Sequence, residues 1–168
     1  MEIIVGCGYP SPNKEVSMLR ILSLDPSGTG TTGLCLIDKQ IAFREFKNPD
    51  WQLHLDYLQK LIQIYQPTII IYENTNYLYP RQHQGTINLL KLIGAIEGLK
   101  HTFPFIQQID HILVSQVKDY KAKLFKGEAK LKDLAYQPGL GWMLKNKKLS
   151  LHQLDAYLVY CLWKEKHE

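Results

Sequence analysis

Apolar positions along the chain change period several times, and each change marks an element. Residues 1–17, MEIIVGCGYPSPNKEVS, carry no periodic pattern and read as an extension outside the core. From Arg20 the run RILSLDP predicts a short buried strand. TGLCLID and IAFREFK follow as paired strands turning at Asp38, Lys39 and Gln40. Pro49 and Asp50 open a helical stretch in which Leu53, Leu55, Leu58, Leu61, Ile62 and Tyr65 recur at spacings of one to three, and Pro67 closes it. TIIIYE is continuous and β-branched, which predicts a strand buried on both faces and ending at Glu73. A long helix is expected from about Thr86 to His101, apolar nearly all round and with Gly94 and Gly98 one turn apart, so that more than one side is covered. DHILVS reads as a fifth strand, and SLHQLDAYLVYCLW as a closing helix with Ser150 as its N-cap. The order β-β-β-α-β-α-β-α predicts one α/β domain over residues 18–168.

Composition narrows the class. No apolar run reaches the roughly 18 residues of a membrane helix, and the N-terminus lacks the basic-then-apolar pattern of a signal peptide. A cytoplasmic location is expected, in a cell or in the host of a phage. Cys7, Cys35 and Cys161 are widely spaced, form no CxxC pair, and are expected reduced, with Cys35 and Cys161 in the core. The net charge of +4 is mild, but it is unevenly placed. From Val114 to Lys148 nine lysines face three acids, a local charge of +6, and the rest of the chain is slightly acidic. A lysine-rich stretch is ordinarily a solvated face; it matters here only if the remaining chemistry wants a polyanion.

Four residues suggest that it does. Asp25 and Glu73 each end a buried strand, the edge at which open α/β sheets place their ligands. If those strands are neighbours, both carboxylates emerge together. His152 and Asp155 are spaced i, i+3, on one face of the last helix, which must also carry Leu151, Leu158, Val159 and Leu162 toward the core. Taken singly, each has an ordinary structural reading: Asp before Pro-Ser-Gly forms turns, a strand-end Glu can pair with a lysine, and an acid near a helix start is favoured by the helix dipole. Three carboxylates and a histidine at strand ends and a helix start, beside a lysine-rich segment, favour a two-metal phosphodiester hydrolase.

The same stretches resemble the RuvC-type Holliday junction resolvases of the RNase H-like superfamily. ILSLDPSGTGTTGLCLID is similar to their opening hairpin, IIIYENTNY to their fourth strand, and LHQLDAYLVY to their closing helix with its H-x-x-D or D-x-x-D pair. FKGEAK resembles their basic, glycine-containing segment. The resemblance spans about Leu19 to Trp163 and implies an RNase H-like fold: a central five-stranded mixed sheet, its first three strands antiparallel, flanked by helices. It implies a site of Asp25, Glu73, His152 and Asp155 holding two Mg²⁺ ions, with Mn²⁺ tolerated, and His152 either a ligand or a proton-transfer group. The substrate would be branched DNA, a four-way junction, held by Lys118, Lys121, Lys123, Lys126, Lys130 and Lys132. Tyr77 or Tyr79 would stack near the junction centre with Arg81 close by, and a homodimer would form through the helix near 86–101. Residues 1–17 and the absence of arginine from the basic segment depart from the pattern; lysines attract phosphate as point charges rather than as clamps. Gly28 and Gly30 would leave room for a DNA backbone. Two other readings stay open: a related nuclease of the YqgF type acting on RNA or simple duplex, and an actin-like nucleotide-binding lobe, for which DPSGTGTTG would be the phosphate loop but the second lobe is lacking.

Overall fold

The structure, a computed structural model, describes residues 19–75 and 83–168. Five strands, β1 (Ile21–Asp25), β2 (Thr31–Ile37), β3 (Ile41–Lys47), β4 (Ile69–Asn74) and β5 (Gln108–Leu113), form one sheet in the order β3-β2-β1-β4-β5. β1, β2 and β3 pair antiparallel, while β4 lies parallel to both β1 and β5. The expected mixed sheet is therefore present, with β1 and β4 side by side.

Side chains alternate across a strand, so β1, β2 and β4 each serve two cores. Ile21, Cys35, Ile37, Ile69 and Ile71 face one side, packed under helix α4 (Leu151–His167). Leu22, Leu24, Leu34, Leu36, Ile70 and Tyr72 face the other, under α1 (Trp51–Tyr65) and α2 (Gln84–Thr102). Cys35 and Cys161 are buried and unbridged. α4 is the most deeply set helix: Leu154, Ala156, Leu158 and Val159 have no exposed surface, and the Ser23 hydroxyl donates to the Ala156 carbonyl at 2.7 Å. Its N-terminus is closed as expected, with Ser150 accepting from the Gln153 amide.

Three expectations change. Val114 and Ser115 belong not to the fifth strand but to α3 (Val114–Lys126), where Val117, Tyr120 and Leu124 recur at helical spacing and pack beside α4. The helix stops at Gly127, whose φ of 75° a side chain would resist. The rest of the basic segment is a second, three-stranded sheet of β6 (Leu134–Gln137), β7 (Gly141–Leu144) and β8 (Lys147–Lys148), which buries Leu134, Trp142 and Leu144 in the α4-side core. Its strands are too short and polar for a periodic signal. Leu151 is 64% exposed instead of core-facing, because the first turn of α4 overhangs the sheet edge. α2 buries Leu92, Ile93, Ile96 and Leu99, but a side chain at Gly94 or Gly98 would meet nothing within 4 Å. Among the described residues, its second side is thus uncovered. Among the described residues, no helix is long and apolar enough to cross a membrane.

Candidate active site

The register brings the strand-end acids together. Leu24 and Tyr72 are the last pair between β1 and β4, so the next residues, Asp25 and Glu73, stand side by side just past it, each still paired to its other neighbouring strand. Both share the alternation of Ser23 and Ile71 and therefore project onto the α4 face. α4 begins over this edge: His152 Nδ1 lies 2.9 Å from Asp25 Oδ2, and Asp155 sits one turn on. Asp155 Oδ1 is met at 2.6 Å by Lys121 Nζ, reaching over from α3. Glu73, when protonated, donates to Asp25. Asp25, Glu73, Leu89, Val114 and Lys118 line a cleft of about 260 Å³. A larger hollow of about 860 Å³ lies at the opposite end of the sheet, rimmed by Lys39, Lys132, Lys145 and Lys147; its lone carboxylate, Asp133, makes it a poor candidate for the chemistry.

The electrostatics mark the acids as one group. Burial first, then the hydrogen bond to Asp25 and the charges of Asp25 and Asp155, push Glu73 up to about 9 from an ordinary 4.5. Burial also raises Asp155, outweighing the opposing effect of Lys121. His152 is raised chiefly by its bond to Asp25, against the contrary effect of burial. Three carboxylates crowded at a low-dielectric edge repel, and one keeps its proton unless a cation enters. Among the described residues, no three His, Cys, Asp or Glu side chains stand as a ready shell around one point. Two of the acids are instead turned toward side chains of this chain, Asp25 toward the His152 imidazole and Asp155 toward the Lys121 ammonium.

Several positioning residues escape a reading of the sequence. Gly33 is the cross-strand partner of Asp25, and a Cβ on it would lie 2.1 Å from the His152 carbonyl oxygen. Only glycine lets the start of α4 rest there. Glu45, next in the row opposite Gly33, accepts a hydrogen bond from the Ser150 hydroxyl and so ties the N-terminus of α4 to β3. The loop after Asp25 is held by a buried chain: Ser27 N–H donates to Thr32, the Thr32 hydroxyl contacts His54 Nδ1 at 2.8 Å, and His54 Nε2 contacts the Asn48 carbonyl. His54, 1% exposed and in line with buried Leu58 and Ile62, was the one member with a sequence signal. Gly28 corrects an expectation. A Cβ there would strike the backbone of Leu89 at 2.3 Å, so its missing side chain makes room for α2 rather than for DNA. Lys118 and Lys121 reach the site, and Lys123 and Lys126 lie farther along α3. Lys130 and Lys132 follow in the turn before β6. Tyr77, Tyr79 and Arg81 lie outside the described residues, as does the segment 1–17.

Solved structures share this arrangement of elements. T. thermophilus RuvC in complex with a Holliday junction substrate aligns with a TM-score of 0.56 at 14% identity, over 88% of this chain and 96% of that one. The yeast mitochondrial Holliday junction resolvase Ydc2 aligns at 0.52, with 12% identity, over 87% of this chain and 78% of its own. The fowlpox virus Holliday junction resolvase aligns at 0.50, with 14% identity, over 88% and 99%. The fold is RNase H-like. No protein-family profile and no curated protein sequence matches the chain. At these identities the likeness is one of architecture, and the chemistry rests on the side chains described above.

Proposed function

We propose that the protein is a metal-dependent endonuclease that cuts branched DNA, the four-way junction foremost. One juxtaposition supports the reading above all: Asp25 and Glu73, at the ends of two adjacent parallel strands, line one cleft, and the His-x-x-Asp turn of α4 meets Asp25 through His152. The fold is one that other proteins use in structures solved with Holliday junction DNA.

The donor set fits magnesium. Asp25, Glu73 and Asp155 offer hard oxygen ligands, and the proton retained by Glu73 is the mark of a cluster short of positive charge. Two such ions, held by these three acids with His152 as a further donor, would supply an activated water and charge stabilisation on the leaving oxygen. Manganese would accept the histidine more readily. The chain's own groups prepare the site. His152, with Nδ1 on Asp25, orients that carboxylate and keeps Nε2 for moving a proton. Lys121 holds Asp155 toward the cleft, and Lys118 on its rim attracts a phosphate. Lys123, Lys126, Lys130 and Lys132 extend the positive path by which a DNA backbone is held, with affinity falling steeply in salt. A four-way junction is nearly two-fold symmetric and needs two cuts. The Gly94 and Gly98 side of α2, uncovered among the described residues, suits a homodimer that would deliver them.

Asp25→Asn keeps the shape and removes a ligand charge. Cleavage of a four-way junction in Mg²⁺ should be abolished while binding survives; full activity in the variant would sink the assignment. Running a linear duplex and a structured RNA beside the junction tests the substrate class, since faster cutting of either would favour the other RNase H-like nucleases.

A further inference from the structure

α3 carries Lys118, Lys121 and Phe125 at spacings of three and four, along one side of the helix. Lys118 lines the acid cleft and Lys121 pairs with Asp155. Phe125 stands one turn farther out, about 6 Å along the helix axis, and is 62% exposed. It is not an isolated apolar residue. Its ring meets Tyr136 edge to face with centroids 5.0 Å apart, and Tyr136, 44% exposed, meets buried Trp142 at 5.6 Å. Tyr136 and Trp142 are cross-strand partners in β6 and β7. Three rings thus run from core to solvent, anchored in the small sheet, with the outer two partly uncovered. Lys123 and Lys126 on α3, then Lys130 and Lys132 in the turn before β6, are their near neighbours in sequence, against Asp119, Glu128 and Asp133.

Anchored rings among lysines suit unpaired nucleic acid. Aromatic faces stack any base, and ammonium groups take the phosphates. A duplex keeps its base faces inside the stack, and a second copy of this chain would bring the same excess of positive charge. We propose that Phe125 and Tyr136 form a base-stacking platform that captures an unpaired nucleotide of the strand leaving the acid cleft. The placement of that strand rests on the nuclease reading; the platform itself is testable without catalysis.

The test uses the full chain without divalent ions and compares, by fluorescence anisotropy, an oligothymidylate of about twenty nucleotides with a blunt duplex of similar length. Phe125→Ala should weaken single-strand binding by about tenfold or more and change duplex binding less than about twofold. Phe125→Trp should restore it and Phe125→Leu should not. The salt slope should stay that of the wild type in Phe125→Ala, whereas Lys126→Ala should lower it. The idea is overturned if Phe125→Leu binds as the wild type does, if single strand and duplex lose equally, or if the wild type sediments as an oligomer that Phe125→Ala dissociates. Junction cleavage in Mg²⁺ is read separately. Selective stacking by a wild type that never cuts would overturn the nuclease reading alone, and cutting without selective stacking would overturn the platform alone.

Discussion

Replacing Gly33 by alanine tests how α4 is seated. The added Cβ would lie 2.1 Å from the carbonyl oxygen of His152 and 2.4 Å from its carbonyl carbon, where ordinary contact begins near 3.4 Å. Both are backbone atoms, so no side-chain rotation relieves the clash, and the start of α4 must retreat by more than about 1 Å. Fully buried Leu154, Ala156 and Leu158 and the Ser23 bond to Ala156 resist that movement. Overpacking of this kind costs about 1–3 kcal/mol, which for a chain of this size lowers the Tm by roughly 2–12 °C. The retreat would open the 2.9 Å contact between His152 and Asp25, and a displacement near 1 Å at reacting groups is worth about 100-fold in rate. Calorimetry and single-turnover cleavage of a four-way junction should show both losses, with junction affinity little changed under the proposal that the lysines supply it. Gly94→Ala is the control for melting alone, since its face of α2 is the one proposed for the dimer: nothing lies within 4 Å of its Cβ, and alanine in a helix interior should add about 0.5–1 kcal/mol. A Gly33→Ala protein that melts and cuts like the wild type would refute the packing of α4 on β2.

Glu73 makes a pH prediction. Between 4.5 and about 9 the folded chain keeps on Glu73 a proton that the unfolded chain has lost, so this group's contribution to stability falls as pH rises through that window. Glu73→Gln should remove the decline, gaining about 1 kcal/mol or more over the wild type at neutral pH; a Tm difference that stays flat with pH would contradict the cause assigned. Mg²⁺ should narrow the same gap by restoring the wild type on the alkaline side and should release protons as it binds, measurable by calorimetry in buffers of different ionisation enthalpy. Thr32→Val breaks the buried chain at His54 and should cost about 1–3 kcal/mol, with wild-type melting as the refuting result.

What could be read from the residues was local. The strand ending in Asp25, the β-branched run ending in Glu73 and the i, i+3 pair on the last helix each carry their own signal within a few positions, because burial imposes period two on strands and about 3.6 on helices. The turn at Asp38–Gln40, the helix start at Asp50 and the cap at Ser150 follow from the same patterns, whereas the mixed five-stranded sheet was what the family resemblance implied. The Lys-rich segment misled because its helix buries only Val117 fully and its small sheet has strands of two to four residues, too brief to set a period.

The rest belongs to tertiary register. That Gly33 lies opposite Asp25 and Glu45 opposite Gly33, that Gly28 meets the backbone of Leu89, and that Lys121 crosses from α3 to Asp155 are contacts between residues far apart in the chain. No local periodicity encodes them, because the pairing of strands and the seating of a helix depend on how all the buried faces fit at once. The sequence alone determined that carboxylates and a histidine fall at strand ends and a helix start; only the packed sheet and helices decided that Asp25 and Glu73 line one cleft with His152 against Asp25, and that Gly33 makes that approach possible.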